Sequence, residues 1–165
     1  MTKNVKWFFV VLVFSSLISL AFSNENVHAE KLQEGDKIPA LVLCDTVQPL
    51  DLHSAREGYT LLSFWASYDA VSRQNNAALA HLAGETGQVG MLSVSFDRYA
   101  SVFHATVEQD GLENVRCFVE TNGSDSEAFR AFDLKQGFTN YLVDSKGVIV
   151  AKNVTPAELA SYLKK

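Results

Sequence analysis

Residues 59–67 (YTLLSFWAS) form a nearly continuous run of apolar and aromatic side chains. Successive residues of a strand point to opposite faces of its sheet, so such a run needs cover on both faces. Residues 89–97 (VGMLSVSFD) have the same character. We therefore predict two buried strands in the middle of one sheet, with the first of them central.

Helical periodicity follows the first of these strands. Apolar residues recur at helical spacing from Ala70 to about Glu85, and Gly84 and Gly87 supply stop signals. The remaining pattern predicts, in chain order, a hairpin over 40–44 and 50–53, a helix over 102–110, a strand over 115–119, a helix over 124–132, two strands around the turn at 145–147, and a last helix after 154.

The last helix carries its own start signals. Thr155 is placed to cap it, Pro156 occupies its first position, and Glu158 completes a capping box. The whole order predicts an α/β domain with a mixed sheet and helices on both faces. A chain of 165 residues has room for one such domain with a proper core.

The first thirty residues differ from the rest. Lys3 and Lys6 precede an apolar run over 7–22, and small residues follow, which is typical of a secretory signal peptide. We predict that residues 1–23 are removed, with 1–29 as the alternative, and that the protein is periplasmic or secreted without a stable membrane span. An uncleaved anchor is disfavoured because the run, interrupted by serines, is shorter than the roughly 20 residues of a comfortable span.

Charge and metal-ligand spacing narrow the function classes. The net charge is −5. The only charged residues in 1–23 are lysines, so removal of the signal peptide would make the protein more negative, and nucleic acid is not the expected partner. The four histidines and two cysteines show no zinc spacing, and we predict no metal and no other cofactor. Cys44 and Cys117 could form a disulfide or remain two separate thiols, and both alternatives stay open.

Four motifs in register resemble one family. They are GDKIP at 35–39, SFWASYDAVSR at 63–73, VSFD at 94–97 and YLVDSKGVIV at 141–150. Over residues 33–165 the chain resembles the exported thioredoxin-like family, in its branch of cytochrome-maturation and peroxiredoxin-related thiol-disulfide reductases. The resemblance implies a thioredoxin-like fold: a central mixed β-sheet flanked by helices on both faces, with an N-terminal hairpin extension and an inserted α-β element.

The resemblance also identifies what is missing. In the family, the Trp-Ala-Ser stretch leads into Cys-x-x-Cys-Arg, and this alignment puts Asp69 and Ser72 at the two cysteine positions. The family's cis-proline aligns with Phe138, and the buried acid of thioredoxins aligns with Ser63. We therefore expect no catalytic residue for thiol-disulfide exchange, and a trans peptide bond before Phe138, because a cis bond without proline costs about 2.5–4 kcal/mol.

Two interpretations are open for Asp69, which stands at one of the family's cysteine positions. Asp69 can be only an N-cap, or its fixed negative charge can stand where reduced thioredoxins hold a thiolate, so that a partner binds without reacting. For the second interpretation we predict a binding rim, in which Tyr68 and Phe138 are more exposed than Trp65. The rim comprises Trp65, Tyr68, Arg73, Phe138 and Thr139.

Two functions follow from these readings. The first is a redox-inactive exported module that binds an envelope protein or peptide. The alternative is a residual thiol-disulfide oxidoreductase or peroxidase-type enzyme that uses Cys44 or Cys117. We favour the first, because neither cysteine opens a predicted helix or lies in a basic cluster that would lower its pKa.

Export can be tested on the protein recovered from its host. We expect mass spectrometry to find the mature N-terminus at Asn24 or Glu30, because cleavage follows the small residues after the apolar run. Recovery of an intact Met1 on a membrane-embedded chain would contradict export as a soluble protein.

Overall fold

The computed structural model describes residues 31–46, 48–50, 52 and 58–164. The predicted signal peptide, both cleavage sites and His53 lie outside the described residues. Among the described residues, the first helix or strand is the strand that the apolar run predicts. The elements are β1 (Tyr59–Trp65), α1 (Ala70–Thr86), β2 (Val89–Ser95), α2 (Ala100–Gln109), β3 (Arg116–Val119), α3 (Glu127–Ala131), β4 (Asn140–Val143), β5 (Ile149–Lys152) and α4 (Pro156–Tyr162).

The five strands form one mixed sheet in the order β3-β2-β1-β4-β5. Strands β1, β2 and β3 are parallel, while β4 runs antiparallel to β1 and β5 antiparallel to β4. The predicted central position of β1 and the mixed character of the sheet are both confirmed. Because parallel strands end at the same edge, the loops that follow β1 and β2 lie side by side.

Helices cover both faces of the sheet, as predicted. On one face Leu61 of β1 packs with Leu79 of α1 and Leu159 of α4. Phe64 of β1 and Ala128 of α3 belong to the core of the opposite face. Each face therefore has its own apolar core, and β1 contributes to both. Among the described residues, no helix is long and apolar enough to cross a bilayer.

The predicted N-terminal hairpin is reduced to a single contact. Leu41 and Leu50 form an isolated antiparallel bridge, and no strand extends from it within the described residues. Two neighbouring N–H groups donate to side chains instead of a partner strand: that of Leu43 to Thr46 Oγ1 and that of Cys44 to a carboxylate oxygen of Glu120. One nearby side chain, Thr46, and one distant side chain, Glu120, therefore take the N–H groups that the predicted ladder would use.

The ends of the helices follow their sequence signals. The capping box at the start of α4 is confirmed: Glu158 N–H donates to Thr155 Oγ1, and the Thr155 N–H donates to the Glu158 carboxylate at 2.8 Å. Gly87 ends α1 in the left-handed conformation. The peptide bond before Phe138 is trans, as predicted.

Gly137 provides a test of the chain path into β4. Its φ is 124° and its ψ is 165°, a region that essentially only glycine populates. We expect Gly137→Ala to lower the free energy of unfolding by about 1–3 kcal/mol in urea denaturation. An added Cβ would meet nothing within 4 Å, so this loss comes from the backbone alone.

The matched control is Gly84→Ala inside α1, where an added Cβ also meets nothing within 4 Å and φ is not positive. Alanine is the better helix former, so this variant should be more stable by about 0.5–1 kcal/mol. Equal effects at the two positions would show that backbone strain at Gly137 is not the cause.

Candidate functional site

The first turn of α1 is organised by Asp69. Its Oδ1 accepts hydrogen bonds from the N–H groups of Val71 at 3.1 Å and Ser72 at 3.0 Å. The Ser72 hydroxyl donates in turn to the backbone oxygen of Asp69 at 3.2 Å. Asp69 is thus the N-cap of α1, and it satisfies helix donors that would otherwise be unpaired.

A second aspartate fixes the loop in front of this helix. Asp97 is buried at the end of β2, and its carboxylate accepts from the Ser67 N–H at 3.0 Å and the Ser67 hydroxyl at 2.6 Å. The Ser95 hydroxyl donates to its other oxygen at 2.7 Å. Asp97 therefore ties the loop after β1 to the end of β2, and this tie positions Tyr68 and Asp69.

A groove of about 590 Å³ opens beside Asp69. Its walls are the first turns of α1, the segment 137–139 that leads into β4, and the start of α4. Ser63 of β1, Asp69 and Ser72 line it together with Phe138 and Thr139. Three chain segments that are far apart in sequence thus meet around the two positions that the family alignment identified.

Aromatic rings border this groove. The Phe138 ring stacks on the Phe96 ring, with ring centroids 5.6 Å apart. The Tyr68 ring also contacts the Phe138 ring, with ring centroids 6.3 Å apart. Tyr68 is 74% exposed, and partial burial, together with the negative charges of Asp97 and Asp69, raises the pKa of its hydroxyl. Tyr68 is therefore neutral at physiological pH and presents an accessible ring and a hydrogen-bonding hydroxyl.

The fold of this chain matches a crystal structure of a thioredoxin-like protein from Parabacteroides distasonis along almost the whole length of that protein. That protein shares 37% sequence identity with this chain, over 82% of this chain and 97% of that one, with a TM-score of 0.72. The chain belongs to the thioredoxin-like family.

Two further solved structures, both of oxidoreductases, are similar to the chain. A thiol-disulfide oxidoreductase from Bacteroides fragilis is 26% identical over 78% of this chain and 98% of that one, with a TM-score of 0.64. A secreted disulfide oxidoreductase from Mycobacterium tuberculosis shares the fold at 14% identity, over 71% and 88% of the two chains, with a TM-score of 0.57. No family model matches the chain, and a search of curated proteins also finds no match.

Within this thioredoxin-like frame, Trp65 does not lie on the rim, and that prediction is wrong. Its side chain is completely buried, and its indole N–H donates to Ser93 Oγ at 2.8 Å. The Ser93 hydroxyl donates to Asn76 Oδ1 of α1 at 2.9 Å. Trp65 is the last residue of β1 and points to the face that α1 covers, so it fixes the helix against the sheet instead of contacting a ligand.

Arg73 also lies elsewhere. Its guanidinium forms a two-pronged ion pair with the Asp110 carboxylate, at 2.7 Å and 2.6 Å, and so joins α1 to the end of α2. It lines a separate depression with Ser67 and Ala70, and not the groove beside Phe138. The rim prediction is wrong for this residue because its partner, 37 positions away, draws the side chain to the other side of α1.

The predicted rim residue Thr139 does line the groove, and the start of α4 is held against it by an unpredicted contact. Asn140 is buried, donates from Nδ2 to the backbone oxygen of Val154 at 3.0 Å, and accepts at Oδ1 from the Val154 N–H at 2.7 Å. This double contact positions Asn153 and Thr155 in the groove wall.

The two cysteines are free thiols that do not line the groove. Cys44 is exposed, with its thiol beside Thr121. Cys117 lies on β3, where burial raises the pKa of its thiol more than the neighbouring Ser93 side chain lowers it. Within the described part of the chain, no group of three or more His, Cys, Asp or Glu side chains could hold a metal ion.

Asp97 and Asn140 were not predicted as residues that shape the site, although each leaves a weak signal in the sequence. Both are polar residues next to a strongly apolar strand, and both side chains are buried. A buried polar group needs a hydrogen-bond partner, so such residues mark loops that must be held in place. Their partners, Ser67 and Val154, could not be identified without the fold.

Proposed function

We propose that this protein is a redox-inactive, exported thioredoxin-like module that binds a protein or peptide of the cell envelope in the groove beside Asp69. The observation that carries the proposal is the first turn of α1, where an aspartate caps the helix and a serine occupies the second position, with no sulfur at either. The scaffold of the site is retained while its chemistry is replaced.

Thiol-disulfide exchange needs sulfur at both steps. A thiolate attacks a disulfide to form a mixed disulfide, and a second thiol then releases the product. A carboxylate or a hydroxyl can do neither, because neither forms an S–S bond. Cys44 and Cys117 cannot replace the missing pair at this place, because neither lines the groove.

The surface of the site supports binding. Val71 is 80% exposed and lines a groove whose volume is within the range of ligand sites. Tyr68 is 74% exposed and does not line the groove itself, but its ring contacts Phe138, which does. Exposed aromatic residues next to a concave surface are efficient anchors for a partner. Asp69 adds a fixed negative charge where a reduced thioredoxin carries its thiolate, so a partner of a reduced family member would meet a similar charge here.

Export is part of the proposal. The basic, apolar and small residues of the first thirty positions have the order of a signal peptide, and the Mycobacterium tuberculosis relative is described as secreted. A periplasmic or secreted location would place the groove among envelope proteins and peptides.

The alternative, a residual oxidoreductase or peroxidase using Cys44 or Cys117, finds less support. A reactive thiol needs a lowered pKa and access, but burial raises the pKa of Cys117. Cys44 is exposed, but it does not line the groove, and its backbone N–H donates to the carboxylate of Glu120.

The lack of redox activity can be measured directly. We expect the purified protein to reduce insulin at the rate of buffer alone, because it has no attacking and no resolving thiol at the site. The double variant Asp69→Cys with Ser72→Cys should give a measurable but slow activity, because Phe138 and Ser63 remain in place of the proline and the acid of the family. Turnover by the natural chain above buffer would contradict the proposal.

Binding through the groove can be separated from binding elsewhere by two matched variants. Tyr68→Ser and Tyr99→Ser each remove an exposed tyrosine, and neither residue lines the groove, but Tyr68 contacts Phe138, which does. When the protein captures envelope proteins, Tyr68→Ser should reduce the retained amount about tenfold, as loss of an aromatic anchor does, and Tyr99→Ser should not. Equal retention by all three proteins would contradict the groove as the binding site.

A further inference from the structure

The groove carries one charge. Asp69 is the only charged residue among those that line it, and its other polar lining groups are neutral hydroxyls and amides such as Ser72, Gln74 and Asn75. The chain as a whole has a net charge of −5. An occupant that complements this groove electrostatically is therefore positively charged.

The two oxygens of Asp69 have different surroundings. Oδ1 accepts both capping hydrogen bonds, from Val71 and Ser72, so the donors at the helix start are already paired. Oδ2 has no donor among the described residues. The positive end of α1 is thus neutralised from within, and Oδ2 is left to accept hydrogen bonds from a ligand.

A second group in the groove also lacks a partner. Ser63 lines the floor and is only 2% exposed, yet its hydroxyl makes no hydrogen bond with any described residue. The groove is the open side from which a partner can reach this hydroxyl. Its lone pairs can accept hydrogen bonds from an ammonium or a guanidinium group.

Two aromatic rings near Asp69, one of them in the groove lining, also suit a positively charged ligand. The rings of Tyr68 and Phe138 lie 6.3 Å apart, and a cation near the face of either ring is attracted by its quadrupole. The negative charges of Asp97 and Asp69 raise the pKa of Tyr68 after the larger effect of burial, and the same field stabilises a positive charge placed nearby.

We propose that the groove receives a lysine or arginine side chain of the bound segment, with Asp69 Oδ2 as its counter-ion, Ser63 at its floor, and the rings of Tyr68 and Phe138 beside it. This inference rests on the proposed binding function and specifies its ligand. Apolar residues on either side of the basic one would contact Val71, which is exposed at the groove edge.

The test uses acetylated and amidated pentapeptides of sequence Gly-Val-X-Val-Gly, in which X is arginine, lysine, glutamine or glutamate. Each is titrated into the purified protein, and amide shifts in ¹H-¹⁵N spectra report the site and the Kd. The arginine and lysine peptides should shift the amides of Asp69, Ser72 and Thr139. They should bind about five to ten times more tightly than the glutamine peptide, as expected for one ion pair with an aromatic contact, and the glutamate peptide should bind most weakly.

Two protein variants complete the test. Asp69→Asn keeps an N-cap acceptor and removes the charge, so it should stay folded and bind the arginine and glutamine peptides equally. Asp125→Asn removes one exposed charge outside the groove lining and should keep the preference. Equal binding of all four peptides in the groove would overturn the cation site while leaving the binding function intact. A preference for arginine that survives Asp69→Asn would also overturn it, as would the absence of any shift in the groove.

Discussion

Burial of β1 on both faces is the constraint on which the rest of the structure depends. Its residues alternate between the core under α1 and α4 and the core that contains α3, so helices must cover both sides of the sheet. Ligand sites of open α/β sheets lie at the carboxyl ends of strands, and here the groove is lined by Ser63 and Phe64 near the end of β1 and by Asp69 at the start of α1.

The loop after β1 is held by polar contacts that have no redox role. Asp97 holds Ser67, and Asp69 caps α1, so the first turn of the helix is placed as firmly as a catalytic turn would need. The geometry of this turn depends on carboxylate and backbone hydrogen bonds and needs no sulfur atom. The groove beside it has one charged lining residue, Asp69.

The groove itself is a product of long-range contacts. Asn140 fixes the segment before α4 through Val154, and Gly137 allows the turn that brings Phe138 beside Tyr68. The Arg73–Asp110 ion pair joins α1 to the end of α2, on another side of the helix. These contacts join segments that lie far apart in sequence, so the shape of the site depends on the whole domain.

The sequence by itself determined the order of the elements, the central place of β1, the capping of α1 and α4, and the absence of a Cys-x-x-Cys pair, because local periodicity, cap residues and motifs are properties of short segments. It did not determine the extent of the hairpin or the directions of Trp65 and Arg73. Those depend on partners: Thr46 and Glu120 take the N–H groups of the predicted hairpin, Ser93 takes the indole N–H of Trp65, and Asp110 takes the guanidinium of Arg73. Only the tertiary structure decided which residues face the groove, because a side chain near the end of a strand or the start of a helix turns toward whichever partner the fold brings within reach.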